Sequence, residues 1–164
     1  RNPPRRIEEF LAEQGIKPRD RLVALNPGAG RAEKRWPLSH FRALADRLSV
    51  EAGARVLLLW GPGEEILARE VVDRLPVRPI LVPPTSLPEL AALLGRCTLV
   101  VGSDTGPLHL AAALGTPTLG LYGPTWAWRN GPYGRPSRVL QSPDRTMAAI
   151  HPEMALRAAL ELLP

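Results

Sequence analysis

The sequence predicts a single α/β domain of Rossmann-like layout, a parallel sheet with helices on both faces, and three observations carry that reading. From Arg21 onward, apolar runs at 22–25, 56–60, 80–82, 99–101 and 118–122 alternate with helical patterns at 38–52, 64–75, 87–94 and 108–114. The runs are apolar at successive positions, the pattern of strands buried on both faces. Each is followed by a polar or glycine-containing turn before the next helix begins.

The elements follow in order. Residues 7–14 form a short amphipathic segment stopped by Gly15 and Pro18. The five strands and the four helices between them come next, then a weaker strand at 139–140 and a terminal helix at 152–163 with Pro152 at its start. Residues 123–138, which carry Trp126, Trp128 and Tyr133 among glycines and prolines, are expected to be the longest irregular segment. In such a sheet ligands bind at the carboxyl ends of the strands, so the loops after Leu25, Trp60, Val101 and Tyr122 are expected to share one rim.

Composition narrows the chemistry. A chain of 164 residues with 45% apolar content holds one sizeable core. The lone Cys97 excludes a disulfide framework and a cysteine-rich metal site and points to a reducing compartment. No apolar run reaches the length of a membrane span, and the opening RNPPRRIEEF lacks the apolar stretch of a signal peptide. Lys17 and Lys34 are the only lysines among 21 basic residues, and the net charge of +5 favours an anionic ligand. The arginines are scattered and not interleaved with aromatic residues, which disfavours nucleic acid.

Three rim loops hold the candidate residues. The first, NPGAGRAEKRWP (26–37), matches neither a complete dinucleotide fingerprint nor a P-loop, yet its glycines admit close backbone approach and Lys34 and Arg35 add positive charge. Ordinary solvated charges are the plainer account. In the second, WGPGEE (60–65), Glu64 stands at a helix start, either as a cap or as acceptor of two ribose hydroxyls. In the third, SDTGPLH (103–109), Gly106 is expected to cap a helix whose first residue is Pro107, leaving amides free for an anion. Thr105 adds a hydroxyl and His109 an imidazole donor, while Asp104, ill placed beside a phosphate, is left to bind loop amides or a sugar hydroxyl. Capping by Asp104 and Thr105, with His109 as a packing residue, is the alternative. In the long loop, Trp126, Trp128 and Tyr133 are expected over the site, with Arg129, Arg135 and Arg138 facing solvent or an acidic partner.

On these residues the sequence resembles glycosyltransferase family 9, the ADP-heptose:lipopolysaccharide heptosyltransferases. NPGAGRAEKRWP, WGPGEE, TSLPELAALLGRCTLVVGSDTGPLHLAAALGTPTLGLYGPT and GPYG stand in the family's order, and D-T-G-x-x-H-L-A-A-x-x-G-x-P is the most specific element. The resemblance implies the C-terminal half of an inverting GT-B enzyme that needs no metal or other cofactor. Residues 1–20 would be interdomain linker and first helix, and 21–164 the nucleotide-sugar-binding domain. It also implies roles: Lys34 on the donor diphosphate, where with Asp104 it activates the donor, Glu64 on the ribose, and Asp104, Thr105, Gly106 and His109 on the phosphates and sugar. The implied partners are an ADP-sugar donor and a lipopolysaccharide core precursor, the latter reached through an N-terminal acceptor domain that carries the general base and is absent from this chain. The implied place of work is the cytoplasm, at the inner face of the membrane that holds the acceptor. Ala29 and Gly30 stand where some members carry hydroxyls, so contacts there fall to backbone amides. A non-catalytic nucleotide-binding domain and a GT-B-type UDP-sugar epimerase are the competing expectations.

Overall fold

The computed structural model describes residues 2–131 and 136–164. Its centre is a six-stranded sheet, every paired neighbour parallel: β1 (Leu22–Asn26), β2 (Arg55–Leu58), β3 (Ile80–Leu81), β4 (Leu99–Ser103), β5 (Thr118–Tyr122) and β6 (Ser137–Gln141). The order across the sheet is β3-β2-β1-β4-β5-β6. The chain builds outward from β1 through β3, then returns to the other side of β1 with β4. That reversal is the switch point at which ligands of such sheets bind.

Alternate strand residues divide between two apolar layers. Val23, Leu25, Val56, Leu58, Leu99, Val101, Leu119 and Leu121 share one cluster with residues of α2 (Leu38–Ala52), α3 (Glu65–Val72) and α7 (Pro152–Leu162). Leu22, Ala24, Leu57, Leu59 and Val100 share another with α1 (Pro3–Glu13), α4 (Leu87–Arg96) and α5 (Gly106–Ala113). Burial on both faces explains why these strands read as continuous apolar runs. Within the second layer α1 packs on α4, seating Ile7 and Leu11, and Arg6 pairs with the buried Glu89 at 2.5 Å.

Local chemistry sets the helix limits. Helix α2 starts after Pro37 and ends at Gly53, whose φ of 62° is the left-handed conformation that closes a helix without penalty. Helix α4 opens with a reciprocal capping box: the Glu89 amide donates to Ser86 Oγ at 3.2 Å, and the Ser86 amide donates to Glu89 Oε1 at 2.7 Å. Cys97 is buried at the end of α4, and desolvation raises its thiol pKa to about 12, which leaves it unreactive.

Two expectations need correction. The N-cap of α5 is Thr105, not Gly106: its backbone is extended, its carbonyl accepts the His109 amide, and Gly106 is already helical. The irregular segment is shorter than expected, because α6 (Ala127–Asn130) and β6 occupy part of it. Gln141 organises this region, accepting from the Ala127 amide at 2.8 Å and donating to the carbonyls of Tyr122, Gly123 and Thr125. Tyr133, Arg135 and most of GPYG lie outside the described residues.

Candidate functional site

The loops after β1, β2 and β4 meet at the switch point around a cavity of about 280 Å³. Asn26, Gly28, Ala29 and Gly30 line it from the first loop, Trp60, Gly61 and Glu64 from the second, and Thr105 and Pro107 from the third. Leu59, Val82 and Leu90 complete an apolar wall. Trp60 is fixed there by its indole N–H, which donates to the Val82 carbonyl at 2.6 Å.

Glu64 joins the first two loops. A Cβ on Gly28 would lie 2.2 Å from Glu64 Oε1, so only glycine permits the carboxylate to rest where it does. Glu64 is the N-cap residue of α3 but makes no capping hydrogen bond, and its carboxylate has no ion-pair partner among the described residues. Glu64 thus stands at the helix start without a capping hydrogen bond, its carboxylate an acceptor on the cavity.

Lys34 and the third loop form the polar end. Lys34 closes a short 3₁₀ turn (Ala32–Lys34), followed by the buried Trp36, whose indole N–H donates to the Ile150 carbonyl at 2.9 Å and whose ring meets Phe41 edge-on. Arg35 folds back, its Nε donating to the Ala29 carbonyl at 3.1 Å, so this arginine braces the loop. Lys34 Nζ lies 3.7 Å from Asp104 Oδ2, and His109 Nε2 lies 2.7 Å from Asp104 Oδ1. The Asp104 carboxylate is thus held between a cation and an imidazole. Its partners are these two side chains, and among the described residues no backbone amide of the loop or of α5 donates to it. Asp104 is 16% exposed and Lys34 21%, so the pair is only partly screened by water.

No side chain caps α5. The Gly106 and Leu108 amides, on either side of Pro107, which has no N–H, stand in the first turn without an intrahelical acceptor and present partial positive charge at the end of the site that holds Lys34. The Thr105 hydroxyl accepts from Asn26 Nδ2 at 3.3 Å. Behind the loop, Tyr122 is buried and its phenol donates to the Asn130 carbonyl at 3.0 Å; burial first, and the Asp104 charge second, push its pKa up.

All six residues singled out in the sequence thus fall at one rim, with Glu64 and Thr105 on the cavity and Lys34, Asp104, Gly106 and His109 at its polar end. The long loop departs from expectation. Trp126 stacks under the Arg145 guanidinium at 4.5 Å, Trp128 is 81% exposed, and neither lines the cavity. Arg138 pairs with Glu161 of α7. Trp60, Val82, Thr85 and Leu90 also line the cavity but were not assigned a role, since positions at strand ends and helix starts read as core; the place of Trp60 at the head of WGPGEE was the available signal.

Fold and site together define a Rossmann-like α/β domain with a cavity and a polar rim at its switch point. A family profile described as "Glycosyltransferase family 9 (heptosyltransferase)" matches residues 6–159, and the chain belongs to that family. It is 35% identical over 127 residues to lipopolysaccharide heptosyltransferase 1 of Escherichia coli strain K12, covering 77% of this chain and 39% of that protein. A glycosyltransferase family 9 structure from Veillonella parvula superposes with a TM-score of 0.92 at 27% identity, covering 99% of this chain and 51% of that one. The E. coli heptosyltransferase WaaC, solved with ADP, superposes with a TM-score of 0.82 at 29% identity, covering 95% and 48%. The chain therefore spans about half or less of the relatives it matches, and its fold is that of one half of a GT-B glycosyltransferase.

Proposed function

We propose that this chain is the C-terminal, donor-binding half of an inverting glycosyltransferase that transfers heptose from an ADP-heptose-like nucleotide sugar to the inner core of lipopolysaccharide. The observation that carries the reading is the convergence at one switch point of an apolar slot, a free carboxylate and an uncapped helix start paired with a lysine. These match, in order, a base, a ribose and a diphosphate. The E. coli structure solved with ADP has the same fold over 95% of this chain, which supports the nucleotide class.

In this reading the base lies against Leu59, Trp60, Val82 and Leu90, and Glu64 accepts the ribose hydroxyls. The diphosphate takes the Gly106 and Leu108 amides of α5, the Thr105 hydroxyl and Lys34, with the His109 imidazole, held by Asp104 through Nε2, at the same end. Leaving-group departure places negative charge on the diphosphate, and preorganised donors there lower the barrier. Asp104 orients His109 and Lys34 before the ligand arrives and offers an oxygen to the sugar afterwards. The acceptor and its general base belong to a preceding domain, with residues 1–20 as the connection. The acceptor is met at the cytoplasmic face of the membrane. Among the described residues no helix is long and apolar enough to cross a membrane.

Calorimetric titration tests this. ADP is expected to bind the chain, and Lys34→Ala to weaken it by about tenfold or more through loss of one charge-assisted contact. Absence of binding at millimolar ADP contradicts the proposal, and preference for UDP redirects it to a UDP-sugar enzyme.

A further inference from the structure

We infer that Asn26 is a positioning residue that sets the polarity of the Thr105 hydroxyl, holding it as a donor to the bound anion; the inference rests on the donor-binding reading above. Asn26 ends β1 at the switch point, is 5% exposed, and lies opposite Gly102 of β4, where an added Cβ would touch the Asn26 Cβ at 3.4 Å. Its carboxamide spans two rim loops. Oδ1 accepts from the Gly28 amide at 3.4 Å, and Nδ2 donates to Thr105 Oγ1 at 3.3 Å. The orientation of the amide group follows from chemistry: the Gly28 N–H can only donate, so the oxygen faces it and the nitrogen faces Thr105.

A hydroxyl that accepts from an amide keeps its single proton for another partner. Among the described residues the Thr105 hydroxyl accepts from Asn26 and donates to no protein acceptor, so that proton is not committed within the protein. Asn26 and Thr105 both line the cavity, so the proton is available on the ligand side. Aspartate at position 26 is nearly isosteric but only accepts. It would keep the Gly28 contact, draw the Thr105 proton to itself and reverse the hydroxyl.

The test is a double-mutant cycle read by calorimetry with ADP and with adenosine, each variant checked by thermal melting. Asn26→Asp is expected to weaken ADP by about tenfold, the scale of a lost hydrogen bond to a charged group, and to leave adenosine unchanged. In a Thr105→Val background the same substitution is expected to cost ADP at most about twofold, because the hydroxyl it acts through is gone. Asn26→Ser, too short to bridge both loops, is expected to weaken ADP several-fold and spare adenosine, which keeps the inference testable if the aspartate destabilises the fold. Unchanged ADP binding, an equal loss of both ligands, or an undiminished loss in the Thr105→Val background overturns the role of Asn26 while leaving the donor-binding reading intact. Failure of the parent chain to bind ADP overturns both.

Discussion

At Gly28 an added methyl group would compete with the Glu64 carboxylate for the same space. The Glu64 carboxylate occupies the space a Cβ would take, and because it is the end of a flexible side chain it can move aside. Gly28→Ala is therefore expected to melt within a few degrees of the parent yet bind ADP several-fold more weakly, and to respond less than the parent to removal of the ribose 2′-hydroxyl. Calorimetry with ADP and 2′-deoxy-ADP reads both effects; full ADP affinity would show that Glu64 does not hold the ribose. The polar half of the site was legible in the sequence because Lys34, Glu64, Asp104, Thr105 and His109 fall in the loops and helix starts that follow the apolar strand runs, although solvation and capping accounted for the same residues. The apolar half was not. Leu59, Val82 and Leu90 differ from core residues only in which side faces a cavity, and that depends on contacts between distant segments.

Among the elements, α4 contributes Leu90 to the cavity wall and α2 packs in the first apolar layer. The capping box of α4 holds the turn that bears Leu90, and Ser86→Ala is expected to cost about 1 kcal/mol of stability in chemical denaturation, the usual worth of an N-cap side chain. Helix α2 carries His40, which meets Trp36 edge-on at 5.3 Å and faces His151 at 6.3 Å, with its Nδ1 buried and unpartnered. Desolvation, and then the His151 charge, lower its pKa from the ordinary 6.5. The unfolded chain thus binds more protons than the folded one below that value, so stability contributed by neutral His40 is present above it and lost as the pH falls. Denaturant midpoints measured from about pH 7 to about pH 5 are expected to drop less for His40→Gln than for the parent; parallel curves would remove His40 as the cause. Element limits were legible where punctuation was strong, as at Pro37 and Gly53 around α2. They were blurred at α5, where Gly106 and Pro107 fit a cap as well as a first turn, and at α6, four residues long and held by the distant Gln141.

For the whole molecule, the alternation of apolar runs and helices was enough to predict a parallel sheet covered on both faces. The order β3-β2-β1-β4-β5-β6 was not readable locally, because nothing near Leu99 specifies that β4 returns to pair with β1. That one pairing brings Asn26 beside Gly102 and the Gly28 loop beside Thr105, so the site is a product of topology. The central claim is that this rim receives a nucleoside diphosphate. Titrating ADP into the isotope-labelled chain and following backbone amide shifts tests it most directly. The account predicts saturable shifts at Gly28, Gly61, Glu64, Thr105, Gly106 and Leu108, with the amides at the opposite ends of the strands, such as Val23 and Val56, unmoved. Shifts confined to those opposite ends, or none at saturating ADP, would contradict it.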